Sequence, residues 1–551
     1  MKSEDAVEVQ EHHMEKGEVA ETQPVSIPKY ITGLRLHLTT LSILASMLLV
    51  NIEVSVVSTS LPSIVKALHN FESSGWVVSG YLVTYTSSLI IWAKTSDITG
   101  RRITLVISNM LFAIFSGGCG AAQTMVQLIV CRIFQGLGAA GTIAICVLTI
   151  YEMVPPPKYP LYGALVSVAN TIGSLTGPII GGSLSEKASW RWVFLINVPA
   201  TVAVTMLFYF STPKYFPHHW KPHEDLPHLR KVFKKESLSR VDLIGCFLLL
   251  SASMLLVAVL LESGASFGWS SPITIVLLVL SILIFLVFLF VERRTTERAK
   301  RQEPIFPWRF LKNRVWMGVL FASLLPGIPY NSLMIAFPQQ FQYLNFSTPY
   351  QAGIRLIPFN VMISFGGIII SFMAAKLRLP TFYLFLLASV IQVSGLGASA
   401  FLLVPKNVGI PGVVYGMNVL IGLGIGMMIG ITVLLPPRLV EGRDLATATG
   451  ALFQFRLFGG ALGVAMETSI LNTHLKSSGA SLDDVSHAQS VGGVPQLQQH
   501  TVDAVANGLS VVYKTLFGFA VAQLVATVLV WDGRLVIAAA KEKKSGEEKT
   551  G

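Results

Sequence analysis

Fourteen stretches of about twenty predominantly apolar residues run through this chain, each long enough to cross the hydrocarbon core of a bilayer as a helix. They lie at about 38–60, 75–93, 103–121, 125–149, 161–183, 192–211, 241–261, 272–291, 316–337, 352–372, 381–403, 412–434, 447–470 and 509–531. Backbone N–H and C=O groups in lipid must be satisfied within the segment, so the pattern predicts an all-α integral membrane protein. Composition agrees. Of 551 residues, 52% are hydrophobic and 13% charged, against about 25% charged in soluble domains. That leaves too little polar surface for several water-facing domains and excludes most soluble enzymes.

The cations orient the spans. With both termini in the cytoplasm, 32 of the 41 Lys and Arg fall on cytoplasmic segments, the asymmetry that the positive-inside rule demands. The net charge of +11 is therefore topology, and no nucleic-acid partner is expected. No basic segment leads into a short apolar core at the N-terminus, so the first span is expected to serve as the insertion signal. The sequon Asn345-Phe346-Ser347 falls in an outside loop, which makes Asn345 a candidate glycosylation site. Cys119, Cys131, Cys146 and Cys246 sit in apolar stretches and read as buried small hydrophobes. His218, His219, His223 and His228 cluster without acidic partners at ligand spacing, so neither metal nor cofactor is expected. No Gly-Lys dipeptide occurs, which removes the Walker A loop and leaves an ion gradient as the energy source for any transport.

The chain divides into a cytoplasmic tail (1–35), a six-helix bundle (36–211), a cytoplasmic loop (212–240), an inserted helix pair (241–291), a basic cytoplasmic loop (292–315), a second six-helix bundle (316–531) and a cytoplasmic tail (532–551). Internal echoes support two bundles. Ala93-Lys94 closing the second span matches Ala375-Lys376 closing the tenth, and Gly177-Pro178-Ile179-Ile180-Gly181-Gly182 in the fifth matches Gly459-Gly460-Ala461-Leu462-Gly463 in the thirteenth. Pro326-Gly327-Ile328-Pro329 is expected to break the ninth span and to keep it away from lipid.

A few charges stand where lipid forbids them. Glu53 is the only acid well inside a span, while Asp242, Glu262 and Glu467 stand near span ends. Arg132, Arg355 and Arg456 also lie within spans. Span one runs outward and ends about eight residues past Glu53; span four runs inward and begins about eight before Arg132. At 1.5 Å per residue both lie about 12 Å below the outer face, so they are expected to meet. A carboxyl in such a place can carry protons, with protonation of Glu53 releasing Arg132. Gly173, Gly177 and Gly181 recur every four residues and form one smooth stripe, followed by a bend at Pro178. Asp97, Arg101 and Arg102 stand at a cytoplasmic helix boundary, where they can pair with neighbouring helix ends. Candidate cavity residues are Tyr81, Tyr85, Asn170, Asn331, Asn360, Gln454 and Arg456, the last near mid-span.

These residues resemble a family. Asp97-Ile98-Thr99-Gly100-Arg101-Arg102 is similar to the loop signature between helices two and three of the major facilitator superfamily. Arg132-Ile133-Phe134-Gln135-Gly136 resembles its helix-four motif, and Gly173 through Gly177-Pro178 to Gly181-Gly182 its antiporter motif. Trp190 to Pro199 and Arg456 to Gly460 are similar to segments of the fourteen-span drug:proton antiporters. Ala93 and Thr95 depart from the loop signature, and Glu53 replaces an Asp. The resemblance implies the major facilitator fold, with fourteen helices as two six-helix bundles plus an inserted pair. It also implies a fungal-type plasma-membrane monomer exporting amphiphilic drugs, toxins or secondary metabolites in exchange for protons. It further implies that the bend at Pro178 controls export direction and that the Asp97 loop latches the outward-facing state. Sister families would make the chain a vacuolar basic amino-acid carrier or a siderophore carrier. A non-transporting membrane sensor is the reading from another class.

Overall fold

The computed structural model describes residues 30–68, 75–214, 216–217, 242–263, 268–298, 304–345, 347, 349–376, 381–402, 410–477 and 499–531. His218, His219, His223, His228, most of the N-terminal tail and all of the C-terminal tail lie outside them. The N-terminal half holds α1 (Gly33–Leu68), α2 (Gly75–Ser87), α3 (Leu89–Thr99), α4 (Arg101–Ala121), α5 (Met125–Met153), α6 (Tyr159–Lys187), α7 (Arg191–Leu195) and α8 (Asn197–Ser211). The inserted pair is α9 (Leu243–Glu262) and α10 (Pro272–Arg298). The C-terminal half holds α11 (Trp308–Lys312), α12 (Arg314–Gln339), α13 (Pro349–Arg355), α14 (Ile357–Lys376), α15 (Thr381–Phe401), α16 (Gly412–Leu434), α17 (Leu445–Ser477) and α18 (Gln499–Thr527). No strand occurs among the described residues.

Among the described residues, twelve helical segments are long and apolar enough to cross a membrane, and the pair α2 and α3, bent by 48° at Ser88, makes thirteen. The fourteenth expected span is α17, 33 residues long but rich in Gly, Ala and Thr and carrying Gln454, Arg456 and Glu467. Its lower apolarity follows from its neighbours: it packs on protein along much of its length, so lipid does not select its side chains. Helix starts are fixed locally. Thr124 Oγ1 accepts from Gln127 N–H at the head of α5, Asp242 caps α9 through Gly245 N–H at 2.9 Å, and Asn313 caps α12. Between α3 and α4, Gly100 turns with φ +88°, a region that residues with a Cβ avoid.

Two glycine ladders set the closest approaches. A methyl group on Gly173, Gly177 or Gly181 of α6 would lie 3.1, 3.0 and 2.4 Å from the carbonyl oxygens of Leu48, Ile52 and Val56 on α1. In the second half, Gly459 and Gly463 of α17 stand in the same way over the carbonyls of Leu324 and Ile328 on α12, at 1.9 and 2.3 Å. The repeat legible in the sequence is thus the same contact made twice, the fifth helix of each bundle riding on its first. Gly182 has nothing within 4 Å and takes no part. α6 runs as one helix through Pro178.

Several expectations need correction. The ninth span is not broken: α12 continues through Pro326 and Pro329. Pro326, Gly327, Ile328 and Pro329 are all buried there, away from lipid as required. Within the basic segment 292–315, α10 continues to Arg298 and α11 forms; Glu292 accepts from Ile305 and Phe306 N–H, and Arg309 pairs with Asp444. α17 extends to Ser477 and α18 begins at Gln499. Glu467 is not a boundary residue. It is fully buried in α17, and neither carboxylate oxygen finds a hydrogen-bond partner among the described residues.

Candidate functional site

The matching depths of Glu53 and Arg132 do bring them together. Glu53 on α1 and Arg132 on α5 form an ion pair whose side chains are 0% and 1% exposed. Burying two charges stabilises nothing unless their remaining donors and acceptors are also satisfied. Here they are. One Glu53 oxygen takes the Arg132 Nη1–H and the other takes the amide N–H of Asn197, the first residue of α8. Arg132 Nη1 also donates to Gln135 Oε1 at 2.7 Å, and its Nε to the Val77 carbonyl at 3.0 Å. Gln135 in turn donates to Ser116 Oγ on α4 at 2.6 Å. The Arg132 guanidinium carbon lies 4.1 Å from the centroid of the Tyr81 ring, a cation–π contact in a dry site. Tyr81 stacks on Tyr85. Gly136 lets α5 approach α2, since a methyl group there would meet the Tyr81 carbonyl at 2.3 Å. The network ties five helices, α1, α2, α4, α5 and α8, to one carboxylate.

Asn197, Ser116 and the Val77 carbonyl were missed in the sequence. Asn197 stands within the Trp190 to Pro199 segment, and an amide opening an apolar helix was the available signal.

At the end of the bundle that the cation count assigns to the cytoplasm, Arg101 is the centre. Its Nη2 lies 2.7 Å from Asp97 Oδ1 and 2.7 Å from Glu152 Oε1, and its Nε donates to both Glu152 oxygens at 3.0 Å. Arg102 donates to the Tyr209 carbonyl at 2.6 Å and lies 4.0 Å over the Tyr209 ring. Asp97, Gly100, Arg101 and Arg102 therefore bind α3 and α4 to the ends of α5 and α8, all in one half. Glu152, three residues past the end of the fourth apolar stretch, was not named as the partner.

The two halves meet through α6 on α14 and through α3 on α17. Thr171 shares a hydroxyl hydrogen bond with Ser364 and donates at 3.4 Å to the Asn360 carbonyl; Ser364 also donates to the Ser167 carbonyl at 2.8 Å. Asn360 thus takes part through its backbone. Tyr151 reaches the Val433 carbonyl. Gln454 is corrected from cavity to structure. It is fully buried, accepts from Ile90 N–H of α3 at 3.4 Å and donates to Ser253 Oγ of α9 at 3.1 Å. Asn51 donates to Asn170 at 2.9 Å, joining α1 to α6. The Asn331 amide occupies the space beside Gly460, where a methyl group would be 1.7 Å from Nδ2. Arg456 lies 4.7 Å over the Phe453 ring and forms no ion pair among the described residues. Asn345 is also corrected: it is 2% exposed, and Ser347 of the same sequon accepts from Arg355, whereas a glycan must stand in water.

Paired helix bundles with charge networks buried between apolar helices define a multi-pass membrane protein. A sequence model of the Major Facilitator Superfamily matches residues 43–279 and 251–464, and the chain belongs to that family. It is 33% identical over 525 residues to the MFS-type transporter FPY5 of Fusarium mangiferae, covering 94% of this chain and 87% of that one. It is 28% identical to the dehydrocurvularin exporter of Alternaria cinerariae, covering 94% and 88%. Among solved structures it is similar in fold to an inward-facing bacterial homologue of the human lysosomal transporter Spinster. The TM-score is 0.55 at 14% identity, covering 92% and 99%.

Proposed function

We propose that the chain exports amphiphilic organic compounds, of the kind fungi make as secondary metabolites, in exchange for protons by alternating access. The observation that carries the proton part is the Glu53–Arg132 pair. It is the one fully buried acid–base pair in the apolar part of the bundle among the described residues, and its loss of charge would leave Arg132 held by neutral groups alone. Protonation of Glu53 frees the guanidinium, loosens α1 against α5 and α8, and so couples proton uptake to movement of the N-terminal half. The export part rests on the relatives, several of which are named efflux pumps or exporters. The glycine ladder between α1 and α6 supports it, since the helix that carries Glu53 is the one on which the antiporter-type stripe rides. The bundles at 36–211 and 316–531 rock as units with the pair at 241–291 between them, in the plasma membrane with both termini cytoplasmic. One proton entering across about 100 mV supplies about 2.3 kcal/mol, and each pH unit about 1.4 kcal/mol.

The test is movement of a labelled panel of amphiphiles in sealed vesicles with an imposed pH gradient. Gradient-dependent movement by the native chain, abolished in Glu53→Gln, is expected. Full proton-driven transport by Glu53→Gln would sink the proton assignment, and no movement of any compound would sink the exporter reading.

A further inference from the structure

We infer that Arg456 receives an oxyanion on the exported compound, so that the substrates are amphiphiles carrying a carboxylate or an ionised enol or phenol. This rests on the export reading for its meaning, though not for its binding test. Arg456 stands eleven residues after Leu445, the first residue of α17. At 1.5 Å per residue that is about 16 Å along the helix, close to half of a hydrocarbon core about 30 Å thick. A guanidinium at that depth is retained for a partner or a function.

The structure gives it no partner of opposite charge. Among the described residues it forms no ion pair, in contrast to Arg132, whose acid is built in. Glu467, the other acid along α17, stands eleven residues further on, about 16 Å away by helix rise and beyond any hydrogen bond. Arg456 is also only partly buried, unlike Arg132.

Its surroundings suit an anion. The Phe453 ring lies beneath it at 4.7 Å, and Tyr85, from the opposite half, and Tyr330 stand within electrostatic range of it. Asn331 reaches Gly460, one turn further along α17. An uncompensated guanidinium holds an oxyanion through its fork of donors, and the neighbouring aromatic faces accept the apolar body. The internal repeat gives the position meaning. Arg456 precedes Gly459 by three residues as Ser174 precedes Gly177, so the two halves carry a cation and a neutral hydroxyl at equivalent places. A cationic substrate meets repulsion there and finds no acid.

The test uses the purified full chain and a matched probe pair, dansyl-labelled undecanoic acid and its methyl ester, measured by equilibrium binding at neutral pH. The native chain should bind the acid at least about ten-fold more tightly than the ester. Arg456→Gln should abolish that preference while holding the ester within about two-fold, and Arg456→Lys, which keeps the charge but not the fork, should retain part of it. Equal binding of acid and ester by the native chain, or failure to bind the acid, overturns the inference whether or not the variants fold. So does an undiminished preference in Arg456→Gln. Because binding is read without a gradient, a chain that prefers the acid but moves nothing in vesicles would overturn export and leave the anion site standing.

Discussion

Asn197 donates to the Glu53 oxygen that Arg132 leaves free, so the carboxylate is held from two sides by residues 144 and 79 positions away in sequence. The amide comes from the first turn of α8 and the guanidinium from near the start of α5. Removing either donor therefore acts on the same anion by a different route.

Asn197→Ala leaves one carboxylate oxygen buried and unsatisfied. A lost hydrogen bond to a charged group costs about 1.5–3 kcal/mol, and the thermal midpoint of the purified protein should fall accordingly. Asn197→Ala with unchanged stability would mean that water replaces the amide.

Glu53→Gln and Arg132→Gln each leave a buried charge or its donors uncompensated, at about 3–5 kcal/mol apiece. The double variant removes both charges and should cost clearly less than the sum of the singles. Denaturant or thermal unfolding of the four proteins measures this coupling directly. Additive losses would show that the pair contributes nothing beyond its separate contacts.

Adjacent glycines give a sharp contrast. Gly181→Ala drives a methyl group to 2.4 Å from the Val56 carbonyl, a backbone atom that cannot step aside, whereas Gly182→Ala meets nothing within 4 Å. The first should destabilise by about 1–3 kcal/mol and impair transport; the second should be silent in both assays. Equal behaviour of the two would remove the α1–α6 ladder as the constraint.

Gly100→Ala places a Cβ on a backbone at φ +88° with no neighbouring atom to clash. Its effect is conformational alone, about 1 kcal/mol or somewhat more. The same substitution in the Arg101→Gln background should add to the loss of the Asp97 and Glu152 contacts, read again as shifts in thermal midpoint.

Treatment with an endoglycosidase that removes N-linked glycans should leave the electrophoretic mobility of the protein unchanged, since Asn345 is enclosed. A mobility shift that disappears in Asn345→Gln would show that the segment opens to admit a sugar.

What was legible in the sequence was what lipid penalises. Glu53 and Arg132 stand out because charges in hydrocarbon are rare, and the fixed rise of a helix sets their depth well enough to pair them. The glycine stripe was legible because a four-residue period keeps one face. Rotation about each helix axis was not legible, because spans apolar on all sides carry no preferred face. For that reason Glu152 went unseen as the partner of Arg101, Gln454 was misplaced in the cavity, and Glu467 was taken for a boundary residue although it is enclosed by protein.

Gln454 has a kinetic consequence. Its carbonyl oxygen holds α3 of the first half and its amide nitrogen holds α9 of the inserted pair, while its own backbone belongs to the second half. One planar group thus joins three parts of the fold. If the halves rock as proposed, α3 leaving α17 breaks the Ile90 bond, whereas the Ser253 bond keeps α9 on α17 and the inserted pair with the second half.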